Sequence, residues 1–270
     1  MMRVTVSMLA MSLLWAGDAF SSPEWVPMQD RAQGQSLTGA NLLNDSLYSN
    51  PAASAFTQVY SVEGMLTAPK DLGVSVLDTR TSGVGGGVGY YRHFAPGAEE
   101  SVQGARLSVI SRLGTGIGGG ISGKMVWGPG EGGVRSRRTD FDVGVLANFE
   151  FLQLGLMGRN VMGGHEGLGL QREWSAGGRL GYLDTIFFSA GAMSKWEQIR
   201  PYQVSFGAEY VSPYYFSIKG GYRIHLDGTL NIWTAGLSFL SPRMSVHYAV
   251  EFPHAQRAAH EHTVGVSFLM

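Results

Sequence analysis

From about residue 57 to the C-terminus, apolar and polar side chains alternate with a period of two. In 140–148, Phe141, Val143, Val145 and Ala147 share one face, while Asp140, Asp142, Gly144 and Asn148 share the other; Leu146 breaks the pattern. In 201–211, Tyr202, Val204, Phe206, Ala208 and Tyr210 oppose Gln203, Ser205, Gly207 and Glu209. In 243–252, Met244, Val246, Tyr248, Val250 and Phe252 oppose Ser245, His247, Ala249 and Glu251. Such segments, roughly ten residues long and bounded by turn formers, predict β-strands. We read fourteen: 57–67, 71–79, 84–94, 101–112, 115–127, 139–149, 151–159, 171–182, 185–196, 201–211, 214–224, 231–240, 243–252 and 261–270.

The connections alternate in character. Leu113 and Gly114, Leu183 and Asp184, Ser212 and Pro213, and Ser241 and Pro242 form minimal turns. Between them fall longer stretches at 95–100, 128–138, 160–170, 225–230 and 253–260. Outer-membrane barrels have short periplasmic turns and longer external loops. The connections at 67–70 and 197–200 are of middling length, so twelve strands is the alternative count.

Period two also fits a soluble sandwich, whose polar face carries many charges. Here most strands hold only one or two, and the apolar face ends in aromatics. Trp127, Trp174, Tyr182, Trp196, Tyr202, Tyr210, Tyr214, Trp233 and Phe252 fall near strand ends, where a membrane barrel places its girdles. After the N-terminus no run reaches 18 apolar residues. Without a spanning helix, only a closed barrel satisfies the backbone within a bilayer. The fold class expected is all-β: a transmembrane antiparallel β-barrel of about fourteen strands with a short N-terminal plug.

Composition agrees. Only 15% of residues are charged, and 39 glycines are about twice the usual share. A net charge of −1 gives no sign of nucleic-acid binding. There is no cysteine, hence no disulfide framework and no lipidated mature N-terminus. Arg3, the apolar run 4–15, and Ala19 and Ser21 as a small-x-small site read as a signal peptide over 1–21. Residues 22–56 do not alternate and form the expected plug; 57–270 form the barrel. The location expected is the outer membrane of a Gram-negative cell, with its lipid and lipopolysaccharide as surroundings.

Within 22–56, Gly34 and Gly39, then Asn44, Asp45 and Ser46, then Asn50, Pro51, Ala52 and Ala53 resemble the N-terminal hatch of the FadL-like outer-membrane superfamily, which includes PorV-type barrels. The resemblance implies fourteen strands and a plug whose motif is Asp45, Asn50, Pro51 and Ala52. The chain departs from it in lacking a glycine run before the motif and in being short, without the long external loops of fatty-acid transporters. The C-terminus, with Thr263, Gly265, Phe268 and Met270, resembles the assembly signal of outer-membrane barrels, with methionine in place of the terminal aromatic. It implies barrel-assembly machinery as a partner.

With the apolar face on lipid, parity points Glu63, Arg106, Lys124, Asp140, Asp142, Arg159, Arg179, Glu209, Lys219, Arg223, His247 and Glu251 into the lumen. Mixed signs suit internal ion pairs around a plug better than a charge-selective pore. Fourteen strands spaced ~4.8 Å and tilted ~40° enclose a backbone diameter of roughly 28 Å, too wide for side chains alone to fill. Gly85, Gly87, Gly89, Gly104, Gly118 and Gly120 face inward on three consecutive strands. Glycine there marks close approach of another backbone, so they form the expected plug-facing wall.

Other candidates carry less. His254, His260 and His262 with Glu261 lack fixed ligand spacing, so no metal site is read. Arg135, Arg137 and Arg138 fall in the longest external loop and match phosphate chemistry. No nucleophile, base and orienting group converge, so neither an enzyme nor a cofactor is expected. Two functions remain: passive transport of small, predominantly hydrophobic molecules past the plug, or a non-conducting barrel that scaffolds an envelope protein partner.

Overall fold

A computed structural model describes residues 25–40, 42–68, 71–94, 101–129, 135–163, 168, 170–226, 228, 231–254 and 260–270. The stretch read as a signal peptide lies outside them.

Fourteen strands form one closed antiparallel barrel. They are β1 (Tyr60–Thr67), β2 (Asp71–Asp78), β3 (Val84–Phe94), β4 (Ser101–Arg112), β5 (Ile117–Pro129), β6 (Arg135–Asn148), β7 (Leu152–Arg159), β8 (Glu173–Tyr182), β9 (Ile186–Lys195), β10 (Gln203–Val211), β11 (Phe216–His225), β12 (Asn231–Leu240), β13 (Met244–Pro253) and β14 (Glu261–Leu269). Each pairs with its sequence neighbours, and β1 closes the ring on β14 from Ser61 opposite Leu269 to Thr67 opposite Thr263. Closure removes sheet edges, so the wall satisfies its own backbone without water. The count is fourteen, not twelve, because both middling connections reverse the chain between paired strands: β1 with β2, and β9 with β10.

Alternation becomes inside and outside. In β6, Asp140, Asp142, Gly144 and Leu146 are buried, while Phe141, Val143 and Val145 are exposed. Leu146, the exception to the pattern, is an apolar residue on the inner face and is fully buried. Outward positions such as Val88, Leu107, Ile121, Leu156, Phe206, Ile218, Leu237 and Val264 leave an apolar surface uncovered around the wall. An apolar surface of that extent fits lipid, not water.

Many strand ends shift by one or two residues from expectation, and two shift by more. Strand β1 starts at Tyr60 and not 57, because Thr57 turns back on Ser54, whose carbonyl accepts both its N–H (3.1 Å) and its hydroxyl (2.8 Å). The connection between β5 and β6 is 130–134, not 128–138; Arg135, Arg137 and Arg138 belong to β6 and pair with Pro129, Trp127 and Val126. Backbone pairing continues past the apolar band, where alternation no longer signals it.

Residues 25–40 and 42–59 occupy the lumen. A five-residue helix, α1 (Met28–Ala32), packs on β11 to β14. A 3-10 turn, Leu37–Gly39, lies on β7, β8 and β9, and a second, Asn44–Leu47, lies on β1 to β4. Between helix and first turn the chain reverses through Gly34 (φ 66°) and Gln35 (φ 63°). A side chain at Gly34 would meet the backbone of Tyr222, so only glycine fits so close to the wall.

Candidate functional site: the plug and its dock

Asp30 organises the plug internally. Its carboxylate accepts the Leu37 N–H at 3.0 Å and the Ser49 hydroxyl at 2.9 Å. Burial raises its pKa, and those bonds partly restore the charged form. Asp45 accepts the Gln29 N–H at 2.7 Å and sits close to Glu63 of β1. Burial, the largest cause, pushes the Asp45 pKa up to about 6. Asn50 closes the motif: its amide donates to the Thr38 carbonyl at 2.7 Å, and its side-chain oxygen accepts the Ala52 N–H at 3.0 Å. Pro51 carries no N–H, so this Asn turn reaches past it to Ala52.

Eight of the twelve inward titratable residues gather into three networks, each gripping the plug. Asp142 receives Arg106 at 2.7 Å and Lys124 at 2.8 Å, and Arg106 also donates to the Leu47 carbonyl at 3.3 Å. Glu209 receives Arg179 at 2.8 Å, with Lys219 at 3.5 Å; Gln33 donates to Glu209 at 3.4 Å and Lys219 to Gln29 at 3.3 Å. Glu251 receives Arg223 at 3.0 Å and Arg31 of α1 at 2.7 Å, and Arg31 also pairs with Glu261. Hydroxyl contacts fill the spaces between: Ser36 with Ser189 at 2.6 Å, Thr234 to the Ala32 carbonyl at 3.0 Å and Asn44 to Ser75 at 2.9 Å.

The glycines mark where plug and wall touch. A Cβ at Gly87 would strike Leu47, at Gly89 the Tyr48 ring, at Gly118 Ala55, and at Gly120 the Pro51 backbone. Gly85 and Gly104 are corrections. The space at Gly85 is taken by Thr79 at the end of β2, and that at Gly104 by the Tyr91 ring of the adjacent strand. Both face inward, but neighbouring wall side chains cover them before the plug can. The track also extends beyond those three strands. Gly144 meets Asn50, Gly155 the Thr38 carbonyl, Gly177 Gly39, Gly221 Gln33 and Gly236 Ala32. The same parity that found the first six would have found these. Gly265, read as part of the assembly signal, lies against Met28. Phe268 and Met270 are exposed.

One side of the dock is apolar. Trp25 stacks on Tyr91 (centroids 6.0 Å apart), and Tyr48 meets Tyr91 edge-on at 6.4 Å. With Met28, Leu47, Met65, Leu77, Ile110, Ala55 and Phe56 they form a column along the inner faces of β1 to β4, interrupted by Asn44. At the end nearest the chain's C-terminus the column opens on a cavity of about 110 Å³, lined by Ala55, Thr79, Gly85, Ile110 and Arg112. Periodicity could not reveal this column, since its plug half has no regular spacing.

The histidines do not converge. His262 stacks on Tyr248 and shares a 2.6 Å hydrogen bond with its hydroxyl, His260 meets Phe252 edge-on, and Glu261 is engaged by Arg31. Among the described residues no group of three or more His, Asp or Glu side chains could hold a metal.

No protein-family model matches the sequence, and no curated protein does. Solved structures do match the fold. The toluene transporter TodX of Pseudomonas putida is 11% identical over 95% of this chain and 99% of its own, with a TM-score of 0.67. The CymD monoaromatic hydrocarbon channel is 12% identical over 90% and 98%, with a TM-score of 0.63. A Pseudomonas aeruginosa FadL homologue is 12% identical over 94% and 99%, with a TM-score of 0.60. The chain has the FadL-type barrel fold.

Proposed function

We propose that this barrel sits in an outer membrane and passes small, mainly apolar molecules when its plug shifts. The observation that carries the reading is the two-sided dock. From Arg106 of β4 round to Glu261 of β14 the plug is held by ion pairs and hydroxyls, contacts that water can replace at a net cost of about 0.5–3 kcal/mol each, the charged ones costing most. Along β1 to β4 it covers the apolar column from Trp25 to Phe56. A shift of the plug exposes an apolar route ending at the cavity beside Ala55 and Ile110. The names of the structural relatives, a toluene transporter and a monoaromatic hydrocarbon channel, suit that cargo class.

A cysteine pair tests it. The chain has no cysteine, and the Ser36 and Ser189 hydroxyls are 2.6 Å apart, so S36C/S189C can staple plug to wall without a competing thiol. In proteoliposomes, oxidation should stop flux of a small aromatic hydrocarbon and reductant should restore it. Equal flux in both states would show that the plug does not gate.

The scaffold reading has one observation in its favour: the column is filled, with Tyr48 and Tyr91 fully buried. Absence of flux even after deletion of 30–50 would select it.

A further inference from the structure

The outer wall carries very little charge. Among the described residues, the charged side chains at outward-facing strand positions are Asp78, at the end of the barrel nearest the termini, and Arg92, Arg135 and Arg137 at the opposite end. Burying charge on a lipid face costs free energy, so three cations gathered at one rim ask for an anionic partner.

The register sets them side by side. Arg92 of β3 pairs with Gln103 of β4, Gln103 with Trp127 of β5, and Trp127 with Arg137 of β6. Arg135 lies two residues beyond Arg137 on the same face, opposite Pro129. At ~4.8 Å per strand the row is roughly 14 Å wide, within reach of long side chains converging on one head group. Its centre is fixed: Tyr90 and Trp127 both donate to the Gln103 side-chain oxygen, at 3.0 and 3.2 Å. Arg92 is oriented too, with its Nε donating to Ser101 at 3.1 Å and its guanidinium 4.5 Å from the Phe94 ring centre. Among the described residues no hydrogen bond takes its terminal nitrogens, which can fork onto an anion. Among the described residues no carboxylate pairs with Arg92, Arg135 or Arg137, and all three are exposed. Directly below the row the wall is apolar and uncovered, through Val88, Leu107, Ile121, Phe141 and Val143.

Cations above an aromatic pair above an apolar wall complement an amphiphile with phosphate groups at its head and acyl chains below. We propose that Arg92, Arg135 and Arg137 bind the phosphate groups of a lipopolysaccharide-type glycolipid on the outside of the barrel. The inference rests on the outer-membrane placement proposed above, but reads the outer surface and not the lumen. It also fixes this rim as the external one. Arg138, on the opposite face of β6, takes no part.

The test uses the full barrel in detergent, with phosphorylated lipid A, dephosphorylated lipid A and inorganic phosphate as probes. Wild type should bind phosphorylated lipid A. R92Q/R135Q/R137Q should bind it about tenfold or more weakly, the loss of at least one charge-assisted hydrogen bond. R138Q should bind as wild type does, and all variants should keep heat-modifiable migration. Equal binding by wild type and the triple variant, or undiminished binding of dephosphorylated lipid A, overturns the site. Binding of inorganic phosphate as tight as that of lipid A replaces the lipid with a free anion and also overturns it. Flux through the S36C/S189C staple is unaffected by these outcomes, so failure here and failure of the gate are separate results.

Discussion

Arg31 donates to Glu251 over 2.7 Å and so ties helix α1 to strand β13, 220 residues later in the chain. Glu251 also receives Arg223, and Arg31 also reaches Glu261, so the contact is the centre of a four-membered chain of alternating charge. Truncating one member of a buried ion pair is costly because the partner stays buried and unpaired.

This arrangement orders two substitutions. E251Q leaves Arg223 without its carboxylate and weakens plug seating by about 3 kcal/mol. R31Q leaves Glu251 still paired with Arg223 and should weaken it less. Protease digestion of the folded barrel should cut the plug of E251Q faster than that of R31Q, and both faster than wild type. A plug of R31Q cut no faster than that of wild type would show that Arg31 does not anchor it.

The glycine track predicts position-specific effects. G120V and G155V place side chains on the Pro51 backbone and the Thr38 carbonyl, and should cost about 1–3 kcal/mol of seating by overpacking. G64A, with nothing within 4 Å of its Cβ, should change nothing. Plug accessibility to protease, read on heat-modifiable barrels, separates the two groups.

Asp45 makes seating pH-dependent. Its pKa rises on seating from 3.8 to about 6, because burial disfavours the carboxylate. A raised pKa contributes stability below the unseated value that is lost as pH rises through the seated one. The plug should therefore be held most firmly below pH 4 and loosen as the pH rises through about 6. D45N should flatten the dependence across that window. A wild-type plug that tightens from pH 4 to 7 would contradict the assignment.

The two rims can be told apart on cells. An epitope inserted after Gly163, between β7 and β8, should be reached by antibody on intact cells, and one between Ser212 and Pro213 should not. The reverse pattern would invert the barrel in the membrane.

What the sequence determined by itself was the wall. Side chains alternate every residue in a strand, so one glance at parity along β6 or β13 separates lipid from lumen, and turn formers such as Ser212 and Pro213 mark the reversals. Strands β3, β4 and β12 run over the ranges read from alternation alone. Alternation failed where both faces are polar, which is why Arg135, Arg137 and Arg138 looked like a loop. Only the tertiary structure decided what fills the lumen. Parity says that Gly104 and Gly120 both point inward, but not that Tyr91 covers one and Pro51 the other. It says that Glu251 is inside, but not that Arg31 meets it. The plug has no repeating period, and its partners are spread over all fourteen strands. Its place is set by closure of the ring, which brings residues hundreds of positions apart to one axis, and no local pattern encodes that.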